Sequence, residues 1–307
     1  MGIPSDPRQW RVGLIGYGEV GRILAEDLCA QGLAVSTYDL KLGSPADAAI
    51  RAHADKNGVT LAKSHAGLAS QADFIVSAVT ASQAVPVAES CAPAVRPGAF
   101  FLDFNSASPG AKIRAAGFVD AGGAHYVEAA VMTAISTYRI RVPLLLGGAF
   151  AAALQPLLVT LGFDATVASD KLGVASATKM CRSVMIKGLE AMVIESFTAA
   201  RAYGVEDQVV ASLVETFPGI DWEKQGGYFF RRAIQHGRRR SEEMLEAAET
   251  VREAGLEPWS AAGTAERQSW VADLADAGAF GPKDVAPAGW RLDADRMLEA
   301  LKARGRG

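Results

Sequence analysis

The strongest structural signal in the chain is VGLIGYGEVG, at residues 12–21. An apolar run typical of a buried strand leads into Gly16-x-Gly18-x-x-Gly21, and residues 23–28 continue with helical spacing. In such a unit the first glycine permits a tight turn, the second lets a pyrophosphate approach the backbone, and the third lets the helix pack close to the strand. The helix N-terminus offers unpaired N–H groups to phosphate oxygens. The stretch therefore predicts a dinucleotide-binding turn, and a structural glycine turn without a ligand is the alternative.

The residue after the second predicted strand indicates which dinucleotide is preferred. The apolar run 33–38 ends at Asp39, about 20 residues beyond the glycines, where an acid can accept hydrogen bonds from a ribose diol. A carboxylate there would repel a 2'-phosphate, and Lys41 offsets this repulsion only in part. We therefore expect NAD as the cofactor, with NADP less favoured.

Composition limits the class of protein. The chain has 307 residues, which suits two domains, and its net charge of -3 does not favour nucleic acid as a partner. Residues 1–11 do not resemble a signal peptide, and no apolar run reaches the roughly 20 residues of a membrane span, so we expect a cytoplasmic location. The three cysteines are scattered through apolar contexts and are expected to be reduced and buried. The four histidines show no metal-ligand spacing, so no metal site is expected.

The first half of the chain alternates strand-like and helical segments, and the second half is helical throughout. Strand-like runs occur at 11–16, 33–39, 74–79, 99–104, 125–132 and 140–146, with helical segments between them that include 21–31, 44–57, 86–94 and 149–161. Continuous apolar strands separated by helices predict a parallel sheet covered on both faces. Later helices are expected at 173–204, 206–217, 222–237, 241–255 and 261–277. We predict an α/β fold in which a doubly wound, Rossmann-type dinucleotide-binding domain (1–169) precedes an all-α substrate and dimerisation domain (170–307).

The predicted helix 173–204 is apolar around most of its circumference, which is typical of a buried helix. One sector is polar, and it holds Lys179, Arg182, Ser183, Lys187 and Glu190. Charged groups in a buried helix need partners or a polar cavity. A structural network, with Lys187 and Glu190 paired at i, i+3, is one interpretation. For Lys179 we favour a functional one, because a lysine held away from water near a cleft can take part in proton transfer.

Three segments together resemble the β-hydroxyacid dehydrogenases, which include 6-phosphogluconate and 3-hydroxyisobutyrate dehydrogenases. They are the glycine turn at 16–21, LDFNSASP at 102–109 and GVASATK at 173–179, in that order. The resemblance covers residues 11–190, and the later helices resemble a less-studied branch with a variant C-terminal domain. It implies an NAD(P)-dependent oxidoreductase that transfers a hydride between a nicotinamide and a hydroxyacid-like substrate.

By this resemblance Lys179 is the catalytic general acid and base, and Asn105 and Ser106 lie near the nicotinamide and the substrate. The alternative for Asn105 and Ser106 is ordinary turn chemistry ahead of Pro109. The residues expected to contact the cofactor are Gly16, Tyr17, Gly18, Glu19, Val20, Gly21, Asp39, Val79, Thr80 and Asn105.

The substrate region departs from the family pattern. The family's Ser-Gly-Gly cradle for the substrate carboxylate is replaced by residues 132–134, Met-Thr-Ala, and the family's asparagine four residues after the lysine is Ser183. The family's later Lys-Asp pair is missing, and HGRRRSEE occupies that region at 236–243. We expect Arg239 or Arg240 to face the cleft, because a guanidinium suits a carboxylate or a phosphate. The residues expected to contact the substrate are Ser106, Met132, Thr133, Arg182, Ser183, His236, Arg239 and Arg240. The changed cradle predicts a larger, less polar substrate than 3-hydroxyisobutyrate.

Two other function classes stay open. One is an imine reductase on the same fold and cofactor, and the other is a non-catalytic sensor that binds a dinucleotide. Lys179 favours the dehydrogenase over both. The apolar helix 173–204 also predicts a homodimer, because a second subunit would cover its surface, and the resemblance implies that C-terminal helices interlock between subunits.

Overall fold

The computed structural model describes residues 2–281 and 289–304. The chain divides into two compact units, Met1–Met180 and Cys181–Gly307. The division falls within the long helix Val174–Tyr203. The first unit is an α/β structure around one sheet, and the described part of the second is all helical. The predicted fold class is confirmed, while the boundary at residues 169 and 170 stays a prediction.

An eight-stranded sheet forms the centre of the first unit, with the order β3-β2-β1-β4-β5-β6-β7-β8. Its strands are β1 (Arg11–Ile15), β2 (Ala34–Tyr38), β3 (Thr60–Leu61), β4 (Phe74–Ser77), β5 (Phe100–Asp103), β6 (His125–Val131), β7 (Leu144–Gly147) and β8 (Ala165–Ser169). Every neighbouring pair is parallel, as predicted, except β6 and β7, which are antiparallel. The chain order reverses at β1 and β4, which places a crevice at the carboxyl ends of these strands.

Alternate side chains of the strands enter cores on the two faces of the sheet. Val12 and Leu14 of β1 pack with Leu24 and Leu28 on one face, while Ile15 packs with Ile75 and neighbouring residues on the other. The helices of this unit are α1 (Glu19–Ala30), α2 (Asp47–Asn57), α3 (His65–Ala69), α4 (Ala84–Cys91), α5 (Pro109–Ala121), α6 (Ile135–Tyr138) and α7 (Ala151–Thr160). Burial on both faces explains why β1, β4 and β5 are almost continuously apolar.

The helices that follow are α8 (Val174–Tyr203), α9 (Glu206–Thr216), α10 (Trp222–Glu253), α11 (Trp259–Asp276) and α12 (Trp290–Arg304). The prediction of two helices at 222–237 and 241–255 was wrong, because α10 continues through Gly237 without a break. A Cβ at Gly237 would overlap the Gln268 carbonyl oxygen of α11, so this glycine permits close helix packing rather than a turn. Among the helices in the described part of the chain, none is long and apolar enough to cross a membrane.

The burial predicted for α8 was wrong at four positions within the helical unit. Met185 and Met192 are 73% and 63% exposed, whereas Lys187 and Glu190 are buried. The predicted pair between Lys187 and Glu190 does not form, because each finds a partner on α10. Lys187 Nζ lies 2.9 Å from a Glu243 carboxylate oxygen, and Glu190 pairs with Arg240. Each buried charge of α8 is thus compensated by an opposite charge of α10.

Of the three cysteines, Cys91 is buried, Cys29 is half-buried and Cys181 is exposed, and all three are free thiols. The expectation of burial was therefore wrong for Cys181, which lies on α8. Burial in the apolar core raises the pKa of the Cys91 thiol to about 12.

Candidate cofactor and active site

The three glycines of the turn after β1 have different environments. A Cβ on Gly21 would overlap the Gly16 carbonyl oxygen, and one on Gly16, whose φ is +88°, would overlap the Ala78 carbonyl oxygen. Nothing within 4 Å would meet a Cβ on Gly18. Gly18 is also the N-cap of α1 and supplies no side-chain hydrogen bond to its first turn. Two glycines are thus required by the chain itself, and the third leaves an open approach to the N-H groups of α1, as a pyrophosphate needs.

Asp39 follows β2 and lies beside this turn. Its carboxylate accepts hydrogen bonds from the Tyr17 N–H at 2.6 Å and from the Lys41 N–H at 2.8 Å. The Tyr17 side chain points the other way and is 1% exposed, with its hydroxyl 3.0 Å from His53 Nδ1. Burial raises the pKa of Tyr17 to about 12. Asp39 is therefore held at the turn as a fixed acid, and the Tyr17 ring belongs to the core rather than to an open cofactor surface.

Other residues predicted to contact the cofactor lie at the carboxyl ends of β4 and β5. Asn105 is buried, and its side chain accepts the Val79 N–H at 2.7 Å and donates to Ser77 Oγ at 3.0 Å. It thus ties the two strand ends together. Thr80 follows and is exposed, as is Glu19 in the first turn of α1, while Val20 is half-buried.

The sequence did not predict a buried charged cluster at the carboxyl end of β5. Asp103 at the end of β5 lies 2.9 Å from Lys112 Nζ of α5 and accepts the Tyr126 hydroxyl at 2.6 Å. Burial, together with the Asp103 carboxylate, raises the pKa of Tyr126 well above its usual value. The sequence signal was an aspartate closing an apolar strand, with a lysine on the helix that follows. This cluster fixes the strand end from which Asn105 and Ser106 continue.

Lys179 reaches the same edge from α8. Its Nζ donates to Ser106 Oγ at 2.6 Å, and both residues are half-buried. The start of α8 is held by Glu128 of β6, a fully buried residue whose carboxylate accepts the backbone N–H groups of Gly173 (2.8 Å), Ala175 (3.2 Å) and Ser176 (3.4 Å). A lysine and a serine hydroxyl are therefore brought together at the carboxyl edge of the sheet, on which the glycine turn also lies.

The remaining residues predicted to contact the substrate are divided between the two units. In the first unit, Met132 and Thr133 follow β6. Met132 is half-buried and Thr133 is exposed. The second unit holds Arg182, Ser183, His236, Arg239 and Arg240. Ser183 is buried and accepts a hydrogen bond from Lys187 at 3.2 Å, while Arg182 is exposed.

The arginine run on α10 places its members in different surroundings. Arg238 is exposed and pairs with Asp273 and Asp276 of α11. Arg239 is exposed, 3.9 Å from Glu243, and lines a cavity of about 190 Å³ together with His236. Arg240 is 5% exposed and paired with Glu190 inside the helical unit. Of the two arginines expected at a cleft, only Arg239 has an exposed side chain.

A doubly wound sheet, a glycine turn with an open helix N-terminus and an acid after β2 define a dinucleotide-binding protein. Residues 11–160 match the family model described as the NAD binding domain of 6-phosphogluconate dehydrogenase. Residues 200–271 match a domain of unknown function, DUF1932. The chain belongs to the β-hydroxyacid dehydrogenase family, in a divergent branch with this variant C-terminal domain.

Two proteins without an assigned function are similar to this chain over most of its length. A conserved hypothetical protein from Sinorhizobium meliloti 1021 is 34% identical, with a TM-score of 0.75 over 94% of this chain and 96% of its own. An uncharacterised 28.5 kDa protein from Methanothermus fervidus is 28% identical over 260 residues, which cover 81% of this chain and 93% of that protein.

More distant structures share the fold alone. A 3-hydroxyisobutyrate dehydrogenase from Mycobacterium tuberculosis, solved with L-serine, is 17% identical with a TM-score of 0.66 over 94% of this chain and 99% of its own. An imine reductase from Myxococcus stipitatus, solved with NADP+, is 16% identical with a TM-score of 0.52 over 87% and 95% of the two chains.

Proposed function

We propose that this protein is an NAD(P)-dependent oxidoreductase that acts on a hydroxyacid-like substrate, with Lys179 as general acid and base. The observation that carries the proposal is the 2.6 Å contact between Lys179 Nζ and Ser106 Oγ. Ser106 follows β5, on the same edge of the sheet as the glycine turn after β1, because parallel strands share one carboxyl edge. Ligands of doubly wound sheets bind at this edge.

The residues of the turn fit a dinucleotide. No atom within 4 Å in the described part of the chain accounts for a glycine at position 18, but the approach of a pyrophosphate to the backbone does. The first turn of α1 lacks a side-chain cap, so its N–H groups and its positive dipole end are available to phosphate oxygens. When bound, the nicotinamide supplies the hydride donor or acceptor.

Lys179 supplies the proton in this scheme. The hydroxyl of an alcohol is too weak an acid to form a free alkoxide. An amine positioned at the hydroxyl oxygen accepts its proton and so lowers the barrier to oxidation. In reduction the ammonium returns the proton. The hydrogen bond to Ser106 orients the amine. A lysine suits this role because its amine can exist in both protonation states in a partly buried site.

We assign NAD rather than NADP as the preferred cofactor. Two backbone N–H groups hold the Asp39 carboxylate beside the turn, where a 2'-phosphate would meet a fixed negative charge. Tighter binding of NADPH than of NADH in a fluorescence titration would contradict this assignment.

The substrate belongs to a larger and less polar class than 3-hydroxyisobutyrate. Met132 supplies a flexible apolar side chain, and Thr133 keeps the backbone farther from a carboxylate than a glycine would. Arg182 and Arg239 are the exposed cations left to hold an anionic group, since Arg240 is paired with Glu190. A best substrate that is a small hydrophilic sugar acid, with turnover unaffected by Met132→Ser, would refute this part.

The test of the catalytic role is Lys179→Ala. We expect kcat to fall roughly 10²- to 10⁴-fold while NADH affinity stays nearly unchanged, because only the proton transfer is lost. Turnover would be measured on a panel of 3-hydroxyacids with NAD+ and of the corresponding oxo acids with NADH. Lys171→Ala, at an exposed lysine before α8, is the matched control and should keep full turnover. Wild-type turnover in Lys179→Ala would overturn the proposal.

Imine reduction is the second candidate, favoured by the fold that this chain shares with the imine reductase. Turnover of amines without any turnover of alcohols would select it. Absence of NADH turnover across both panels would instead support a dinucleotide-binding sensor.

We further propose that the protein is a homodimer. Met185 and Met192 lie exposed on α8, and Tyr203 at its end is 84% exposed. A second copy of the chain would remove these apolar side chains from water. A light-scattering mass near the 32.2 kDa of one chain at micromolar concentration would contradict it.

A further inference from the structure

We propose that Glu128 is a positioning residue for Lys179, acting through the first turn of α8. The inference rests on the proposed function in assigning the proton transfer to Lys179. Glu128 binds the start of the helix that carries the lysine, and in this proposal it acts through that helix and not through Ser106. Both residues, and every contact used below, lie in the first compact unit.

The contacts of Glu128 are those of a helix cap supplied from another element. One carboxylate oxygen accepts N–H groups from Gly173 and Ala175, and the other accepts the longer bond from Ser176. Helix N-termini usually obtain such bonds from a neighbouring Ser, Thr, Asp or Asn side chain. Here the acceptor comes from a strand 45 residues earlier in sequence, so it fixes the helix to the sheet.

The surroundings of Glu128 confine its carboxylate. The residue is 0% exposed, and a Cβ on Gly147 of the adjacent β7 would overlap its Oε1. Gly147 therefore provides the space that the carboxylate fills. The buried acceptor therefore ties the first turn of α8 to one place on the sheet.

The charge of Glu128 has a second effect on Lys179. A helix N-terminus is equivalent to roughly half a positive charge, which disfavours a nearby ammonium, most strongly in the first turn. Lys179 is the sixth residue of α8, which begins at Val174. The Glu128 carboxylate offsets the positive end of this helix, and so it favours the ammonium form of Lys179 that reduction requires.

Glu128→Gln separates charge from geometry. The amide oxygen can keep the two shorter bonds, and the amide nitrogen replaces the oxygen that makes the bond of 3.4 Å. We expect the pH midpoint for reaction of the Lys179 amine with acetic anhydride, measured by competitive labelling and peptide mass spectrometry, to fall by roughly half a pH unit. The alkaline limb of the kcat profile for oxo-acid reduction should move in the same direction.

Glu128→Asp tests reach instead of charge, because it shortens the side chain by about 1.5 Å. The labelling midpoint should stay near that of the wild type, while kcat falls roughly tenfold or more and NADH affinity is unchanged. Gly147→Ala is the second test and keeps the proposal falsifiable if Glu128→Gln does not fold. Its Cβ displaces the carboxylate, so the midpoint should fall as in Glu128→Gln.

Ser64→Ala is the matched control. It removes the cap of α3, which accepts the Gly67 N–H at 3.0 Å, so it should lower thermal stability and leave the midpoint and kcat unchanged. Wild-type midpoints in both Glu128→Gln and Gly147→Ala would overturn the proposal. A shifted midpoint with an unshifted kcat profile would overturn Lys179 as the proton-transfer group, and the effect of Glu128 on Lys179 would stand.

Discussion

The glycine turn and the start of α8 in the first unit are fixed by glycines and backbone N–H groups, whereas the helices of the second unit are joined by charged side chains buried in pairs. Gly16 and Gly21 touch each other's backbone, and Glu128 and Asp39 are bound by N–H groups. In the helical unit, Lys187 and Glu190 of α8 meet charges of α10. Backbone constraints leave a mark in local sequence because only certain residues satisfy them, but pairs between distant helices do not.

The largest expected effect tests the helical side of this contrast. Glu190→Gln leaves Arg240 buried without a countercharge, so we expect the free energy of unfolding to fall by about 3–5 kcal/mol. Chemical denaturation measures it. Glu195→Gln is the matched control, because Glu195 is 67% exposed in its pair with Arg267 and its loss should cost under about 1 kcal/mol. Equal losses in the two variants would remove the distinction between buried and exposed charges.

The second prediction separates the glycines of the turn. Gly21→Ala forces a Cβ onto the Gly16 carbonyl oxygen, so it should lower the free energy of unfolding by roughly 1–3 kcal/mol and abolish NADH binding. Gly18→Ala meets no atom of the chain, so stability should stay near that of the wild type while NADH binding weakens. Thermal unfolding and NADH fluorescence measure the two effects. Unchanged NADH affinity in Gly18→Ala would break the assignment of this glycine to the cofactor.

The third prediction concerns cofactor choice. Asp39→Ser removes a repulsion worth about 1 kcal/mol, so the preference for NADH over NADPH should narrow by roughly fivefold. Lys41→Met is the control in the opposite direction. It should widen the preference for NADH over NADPH, because Lys41 partly offsets the negative charge of Asp39. Parallel titrations with the two cofactors give both numbers, and a preference unaltered by either change would exclude Asp39 as its cause.

The fourth prediction concerns the pH dependence of stability. Burial raises the pKa of Tyr17 to about 12 in the folded chain, above the roughly 10 of an exposed tyrosine. A raised pKa contributes stability that is fully present below pH 10 and is lost as the pH rises towards 12. Denaturation between pH 10 and 12 should therefore show a steeper loss for the wild type than for Tyr17→Phe, which cannot ionise. Parallel losses would show that the hydroxyl does not ionise differently in the folded state.

The sequence predicted the first unit better than the second. Residues 12–21 combine several requirements in one short stretch, so β1, the turn and α1 could all be predicted. β8 could not, because it is an edge strand whose residues 166–168 are exposed and give no apolar run. On α10, Gly237 suggested a helix end, but the close approach of α11 is a tertiary requirement that sequence spacing does not reveal. Lys179 and Ser106 were predicted as separate site residues, but the start of α8 is held by Glu128, whose partners lie 45 to 48 residues away and could not be predicted from spacing.

The two ion pairs between α8 and α10 also determine how the helices align. Lys187 pairs with Glu243 and Glu190 with Arg240, so three residues forward on one helix correspond to three residues back on the other. The signs alternate along each helix. A slip of one turn would bring Lys187 opposite Arg240 or Glu190 opposite Glu243, setting like charges together in a buried place. These four residues therefore specify one alignment of the antiparallel helices, independently of how much they contribute to stability. Apolar replacements of matching size would remove this specification of the register.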